Sequence, residues 1–275
     1  MTKIESVDAA SYRGRSVRAA RERGLLGRLA SLLSASAFVL VSVACQTVPI
    51  TGRTAFNAFS EQDDIQLGRE AYGQILAEAK LVERGKDLEM VQRVMDRLVK
   101  VADDPGYEWE VRLIDDPKTV NAFALPGGKM AVYTGILPVC ATEEGLAVVM
   151  GHEIGHVVAR HGTERMSINY GAEMLLSMLD LGELAQLGSL AIQTLATPYS
   201  REHESESDRI GQIYMARAGY DPEESIRFWE RMNAATGGGG PTDGVIAYFT
   251  STHPSHEKRV KDLEKWLPEA RKELR

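Results

Sequence analysis

The pattern of apolar and polar positions divides the chain into a helical start, a short extended middle and a long helical remainder. From Glu61 to about Val101, Ile65, Leu67, Tyr72, Ile75 and Leu76 fit one helical face and Met90, Val91, Val94, Leu98 and Val101 fit another. Gly85 separates the two predicted helices. Residues 109–114 alternate as a half-buried strand does. The apolar run at 122–125, the turn Pro126-Gly127-Gly128 and the extended run at 130–133 then predict a hairpin in a small sheet. Thr142 is placed to cap the next helix, with Glu143 and Glu144 in its first turn, where the helix dipole favours carboxylates. Ala147, Val148, Ile154, Val157 and Val158 form its apolar side, and Gly162 is the expected stop. The apolar stretches 174–181 and 184–195 are interrupted by Glu173, Asp180, Gly182 and Glu183, so neither reaches spanning length, and packed amphipathic helices are expected. Another helix is predicted over 202–218, ended by Gly219, and a closing one over 255–266. Residues 236–244, with four consecutive glycines, read as a loop with unusual backbone freedom. The class is therefore α+β, mainly helical.

The N-terminal region has another character. Residues 1–44 hold seven basic and three acidic residues, and an uncharged run from 29 to 52 follows the basic cluster. A positive region, a short apolar core diluted by serines and the ending Ser42-Val43-Ala44-Cys45 predict a signal peptide over 1–44. Small residues before Cys45 also resemble a bacterial lipobox, although Ser42 stands where Leu is usual. Residues 45–60 then read as a lipidated tether and 61–275 as the folded domain. The net charge is −7, and the body beyond residue 44 is more acidic still, which argues against nucleic acid as a partner. Cys45 and Cys140 are the only cysteines, so no disulfide framework supports the domain.

The chemistry centres on Gly151-His152-Glu153-Ile154-Gly155-His156. On a helix, positions four apart differ by about 40° of rotation, so His152 and His156 project from one face and can grip one Zn²⁺. Glu153 is offset from that pair but within reach of a water beside the metal, where it can act as general base. A His-Glu-His cluster on an otherwise apolar helix needs a partner to be tolerated. A catalytic zinc takes a third protein ligand and keeps one position open. His161 is poorly placed for that, about 140° around the helix from His156. The acidic segment 200–208 offers Glu202, Glu204 and Glu206, and spacing alone does not separate them. Asp208, four residues after Glu204, can hold the free ring N–H of a ligating histidine.

Six motifs in order carry a family resemblance. They are Val-Pro-Ile-Thr-Gly-Arg at 48–53, Asn-Ala-Phe-Ala-Leu-Pro-Gly-Gly at 121–128, Thr-Gly-Ile-Leu at 134–137, the His-Glu-Ile-Gly-His run, residues 200–208, and Ser-Thr-His-Pro-Ser at 251–255 with Arg259 after it. Together they resemble the gluzincin zinc endopeptidases that include HtpX, the CAAX prenyl proteases and the mitochondrial OMA-type protease, peptidase family forty-eight. The N-terminus most resembles the family's bacterial periplasmic lipoprotein members. Ser207 is a departure, since Ala is usual before the Asp.

The resemblance implies a zincin-type metallopeptidase domain with one Zn²⁺ per chain, held by His152, His156 and Glu204. It implies an endopeptidase acting on misfolded or unassembled envelope proteins, lipid-anchored on the periplasmic side of the bacterial envelope, at the outer membrane. A chaperone-like assembly factor using the fold for binding is the alternative, but such a binder has no need of Glu153. His253, after the glycine loop, is expected either to donate to the developing oxyanion or to plug the open metal position. The donor role is favoured, because it acts in every turnover. Asn121 begins the strand expected to pair with substrate backbone. His203 and His256 are read as surface residues.

Overall fold

Residues Gln46–Arg275 form one compact unit. The computed structural model describes residues 45–103, 105–177, 184–195, 197–236, 253 and 258–274. The predicted signal peptide, the glycine loop and His256 lie outside the described residues.

Residues 46–60, expected to be a tether, belong to the fold. Strands β1 (Cys45–Thr47) and β2 (Thr54–Phe56) pair with each other. Val48, Ala55, Asn57 and Phe59 are buried. Pro and Gly in this segment make turns between packed residues, which periodicity does not reveal.

Helix α1 (Glu61–Glu78) opens with a capping box in which Ser60 accepts from the Asp63 N–H and Asp63 reaches back to Ser60. Helix α2 (Lys86–Val99) follows after Gly85, as expected. The sheet comprises β3 (Glu110–Ile114), β4 (Ala122–Leu125) and β5 (Lys129–Tyr133), in the order β3-β5-β4. β4 and β5 form the hairpin around the Pro126 turn, and β3 runs parallel to β5. β4 is therefore an edge strand.

After a single turn, α3 (Leu137–Cys140), Thr142 caps α4 (Glu143–Val158), accepting from the Gly145 N–H at 3.0 Å. From Gly145 to Val158 every residue of α4 is buried, polar motif included. The expected stop at Gly162 comes earlier. Arg160 takes a positive φ of 57°, and α5 (His161–Ser177) starts beyond it. The Arg160 guanidinium holds the bend, with Nη1 donating to Gln46 Oε1 at 2.8 Å and Nη2 to the Phe59 carbonyl at 2.7 Å. Helices α6 (Leu184–Leu195), α7 (Arg201–Arg217), α8 (Glu224–Thr236) and α9 (Lys258–Ala270) complete the described elements. No described helix is long and apolar enough to cross a membrane.

The main core joins α2, α4, α7, α8 and the inner sheet face, through Leu98, Leu113, Met130, Val132, Leu146, Met150, Ile154, Tyr214 and Phe228. Its centre is the crossing of α4 and α7. A Cβ on Gly211 would lie 2.8 Å from the Gly151 carbonyl carbon, and one on Gly155 would lie 2.7 Å from Ser207 Oγ. Only small residues at these four positions let the two backbones approach so closely. That approach sets α7 directly against the His152 side of α4.

Candidate active site

The crossing brings four ligand-type side chains together. His152, His156, Glu204 and His253 are all buried, with one ligand atom from each lying within 4.8 Å of the others. His152 Nε2 is 3.0 Å from His156 Nε2 and 3.5 Å from Glu204 Oε2, and His156 Nε2 is 3.3 Å from Glu204 Oε1. Atoms bound at about 2.0–2.1 Å to a tetrahedral zinc stand about 3.3 Å apart, so these spacings fit one ion. Two buried oxygens, Glu204 Oε2 and Glu153 Oε1, accept no hydrogen bond, although Arg259 Nη1 lies 3.1 Å from the first and His253 Nε2 3.4 Å from the second, so each keeps capacity for an ion or a water. Of the three acidic candidates on α7, only Glu204 reaches this cluster. Glu202 is exposed, and Glu206 turns to His161.

The two histidines of α4 are held from behind. His152 Nδ1 donates to Asp208 Oδ1 at 2.9 Å. Arg259, fully buried on α9, donates through Nη2 to the same oxygen at 2.7 Å and lays its guanidinium 3.5 Å over the Trp229 ring. His156 is stacked on Tyr199 at 3.9 Å, and the Arg165 guanidinium sits 4.0 Å from the same tyrosine ring. Ser207, the departure noted in the sequence, donates to the His152 carbonyl from the tight crossing. Its smallness is what the position requires.

Burial alone disfavours charge at the site, and the carboxylates decide the outcome. Burial pushes the His152 imidazole down, but Glu204 and Asp208 outweigh it and hold the group at about 9. His156 lacks a second carboxylate, so burial keeps it well below its ordinary value. Burial raises Glu204, yet the His253 and His152 imidazoles overcome this and hold it well below the usual range. Glu153 goes the other way: burial pushes its carboxyl up, against the pull of His253 and His152. A carboxylate shifted toward neutrality is better matched to exchanging a proton near pH 7.

Glu153 is aimed by the edge strand, since the Ala124 N–H donates to Glu153 Oε2 at 3.0 Å. An open cleft beside it is lined by Asn121, Phe123, Leu195, Tyr199 and His253. Asn121 is buried, its carbonyl accepting from the Tyr133 N–H at 3.0 Å while its side-chain Oδ1 is unpartnered. His253 stands inside the ligand cluster. Its Nδ1 is 3.0 Å from Glu204 Oε1 and 3.2 Å from His152 Nε2, and its Nε2 is 3.4 Å from Glu153 Oε1.

His161, His203 and Glu164 also lie close enough to one another to hold an ion. Arg53 answers for this group instead, donating to both Glu164 oxygens at 2.7 and 2.8 Å and to Glu206 Oε2 at 2.6 Å. His203 is not the surface residue expected from the sequence. Its ring stacks on His161 at 4.2 Å. Sequence reasoning gave no role to His161 beyond a poor ligand and did not identify Tyr199, Ala124 or Arg53. The small residues at 151, 155, 207 and 211, spaced four apart on each helix, were a readable signal for the crossing.

An extended edge strand beside a buried histidine and glutamate cluster on two crossing helices defines the metallopeptidase class. Residues 86–267 match Peptidase family M48, and the chain belongs to that family, whose members are peptide hydrolases that work with a metal. It is 38% identical over 229 residues to the mitochondrial metalloendopeptidase OMA1 of Schizosaccharomyces pombe, covering 81% of this chain and 66% of that protein. The Saccharomyces cerevisiae protein of the same name is 33% identical over 241 residues, covering 81% and 69%. The beta-barrel assembly-enhancing protease of Escherichia coli is 28% identical over 230 residues, covering 78% and 46%.

These relatives correct the expected location. Both yeast proteins are named mitochondrial, which overturns the placement of a lipid-anchored chain on the periplasmic side of a bacterial outer membrane. Residues 1–44 are also arginine- and serine-rich and poor in acids, the composition of organelle-import segments, so the secretory reading of the basic and apolar runs did not exclude that class.

Proposed function

We propose that the chain is a zinc endopeptidase whose ion is held by His152, His156 and Glu204, with Glu153 as general base and Asp208 orienting His152. The observation that carries this reading is the convergence of the ligand atoms at tetrahedral spacing next to Glu153. When bound, the zinc polarises the scissile carbonyl and acidifies a water. Glu153 takes the proton of the attacking water and delivers it to the amine as the C–N bond breaks.

The edge strand supports an extended peptide as substrate. In the antiparallel β4–β5 pair, Asn121 and Phe123 direct their backbone groups to β5, and Ala122 and Ala124 direct theirs away. The Ala124 N–H is used by Glu153, so Ala122 is the residue offered to substrate backbone, with the Asn121 amide beside it. Extended segments exposed by misfolded or unassembled proteins match such an edge, and we propose these as the substrate class.

His253 occupies the position that a fourth ligand and the reacting water need. We therefore read His253 as a plug of the open metal position in place of the oxyanion donor anticipated from the sequence, on the support of its Nδ1 lying 3.0 Å from Glu204 Oε1 and 3.2 Å from His152 Nε2. The test is degradation of casein by the purified chain before and after chelation, with zinc returned at one equivalent. Activity lost on chelation and regained with zinc is expected. Hydrolysis that ignores the chelator would overturn the proposal.

A further inference from the structure

His156 and His161 meet through their Nδ1 atoms at 2.8 Å. At that separation one nitrogen donates and the other accepts, so the pair shares one proton. The far nitrogen of His156, Nε2, lies in the ligand cluster, 3.3 Å from Glu204 Oε1. A nitrogen that binds a metal must offer its lone pair, which puts the His156 proton on Nδ1. That N–H then donates to His161 Nδ1, and the proton of His161 is left on Nε2. It points at Glu206 Oε2, 2.9 Å away. Glu206 in turn accepts from the Thr51 hydroxyl and from Arg53 Nε at 2.6 Å. Every donor in the series has an acceptor. The reversed arrangement would set the His161 Nε2 lone pair against a carboxylate and put a proton on His156 Nε2, inside the ligand cluster.

We infer that His161 and Glu206, held by Thr51 and Arg53, are positioning residues that lock His156 in its metal-binding tautomer, so that segment 51–53 tunes metal affinity from outside the ligand shell. The inference rests on the ligand set proposed above. A purely structural role for His161 is the competitor, because the residue is fully buried and stacked on His203.

Two substitutions in the full chain separate these roles. His161→Gln keeps an amide oxygen to accept from His156 and an NH₂ to donate to Glu206, but loses the ring. His161→Phe keeps the stacked ring and loses both hydrogen bonds. Zinc affinity is read by competition with a chromophoric chelator, and thermal unfolding of the metal-free proteins controls for the fold. The expected order is wild type, then Gln, then Phe, with the Phe variant weakened roughly 10–100-fold, the usual scale for losing a group that orients a ligand. Phe binding zinc as well as or better than Gln would show a packing role and overturn the inference. If metal-free His161→Phe does not fold, Glu206→Leu breaks the series one link further out. Wild-type affinity in that variant would count equally against it. Wild-type protein that binds no zinc would instead remove the ligand set itself.

Discussion

Glu153 and Glu204 are both buried carboxylates on crossing helices, yet their surroundings push them in opposite directions. Glu204 has imidazoles on several sides and stays charged, as the proposed ligand must, whereas burial outweighs the same imidazoles at Glu153, which rises toward neutrality. Glu204→Gln should therefore lose zinc, read by metal analysis, while Glu202→Gln and Glu206→Gln should each retain a bound ion. Glu153→Gln should keep zinc and fold and lose activity by about 10²–10⁴-fold, the usual worth of a general base. Undiminished turnover in that variant would sink its assignment. The His152–His156 pair was legible from spacing alone, but the choice among Glu202, Glu204 and Glu206 was not. All three sit on one helix, and which one faces α4 depends on how the helices cross. His253 carries a further residue-scale prediction. Because its imidazole stands between Glu204 and Glu153, His253→Ala should raise kcat or the initial rate on a short peptide. A fall of roughly 10²–10³ in kcat would restore the oxyanion-donor role.

At the scale of elements, the site is the consequence of one helix crossing and one strand edge. Gly151 and Gly155 on α4 face Gly211 and Ser207 on α7, and a Cβ at Gly211 would press on backbone, which cannot rotate away. Gly211→Val should push the helices apart, costing about 1–3 kcal/mol in chemical denaturation, the scale of overpacking a core. Because Glu204 and Asp208 ride on α7, the same variant should bind zinc more weakly; unchanged stability and affinity would contradict the account of the crossing. Most helices, the capping by Thr142 and the hairpin were readable, because periodicity and turn residues are local signals, whereas α8 was not anticipated. The helix break at Arg160 was not. It is an αL residue without glycine, held by Gln46 and the Phe59 carbonyl from a segment more than ninety residues upstream.

Across the whole molecule, the proposed ion and the fold should support each other. An ion that binds only the folded chain stabilises it by about 4 kcal/mol at 1,000 times Kd, so chelation should lower Tm and one equivalent of zinc should restore it. Acid should act through the Arg53 cluster as well. Burial raises Glu164 and Glu206, but hydrogen bonds from His203 and Arg53 to the first, and from His161, Thr51 and Arg53 to the second, hold both at about 2, below the ordinary 4.5. Groups depressed on folding contribute stability above their unfolded value and lose it as pH falls through the folded one. Stability should thus decline between about pH 4.5 and 2, and Arg53→Leu should flatten that decline in denaturation curves taken at pH 3 and pH 6. A variant as acid-sensitive as wild type would exclude Arg53 from the effect.

The sequence by itself determined the order of most elements, though not the β1–β2 pair or α8, together with the small sheet and its edge strand, the paired histidines and the class of chemistry they serve. These follow from spacing within one segment, where the geometry of a helix or strand converts position into direction. Spacing left three glutamates open, which the resemblance alone separated; only the tertiary structure brought Glu204 against the histidines, folded residues 46–60 against the domain and set His161 behind His156. Those facts depend on contacts between segments separated by 45 to 155 residues, set by how closely small side chains let backbones approach. No local pattern encodes such a distance.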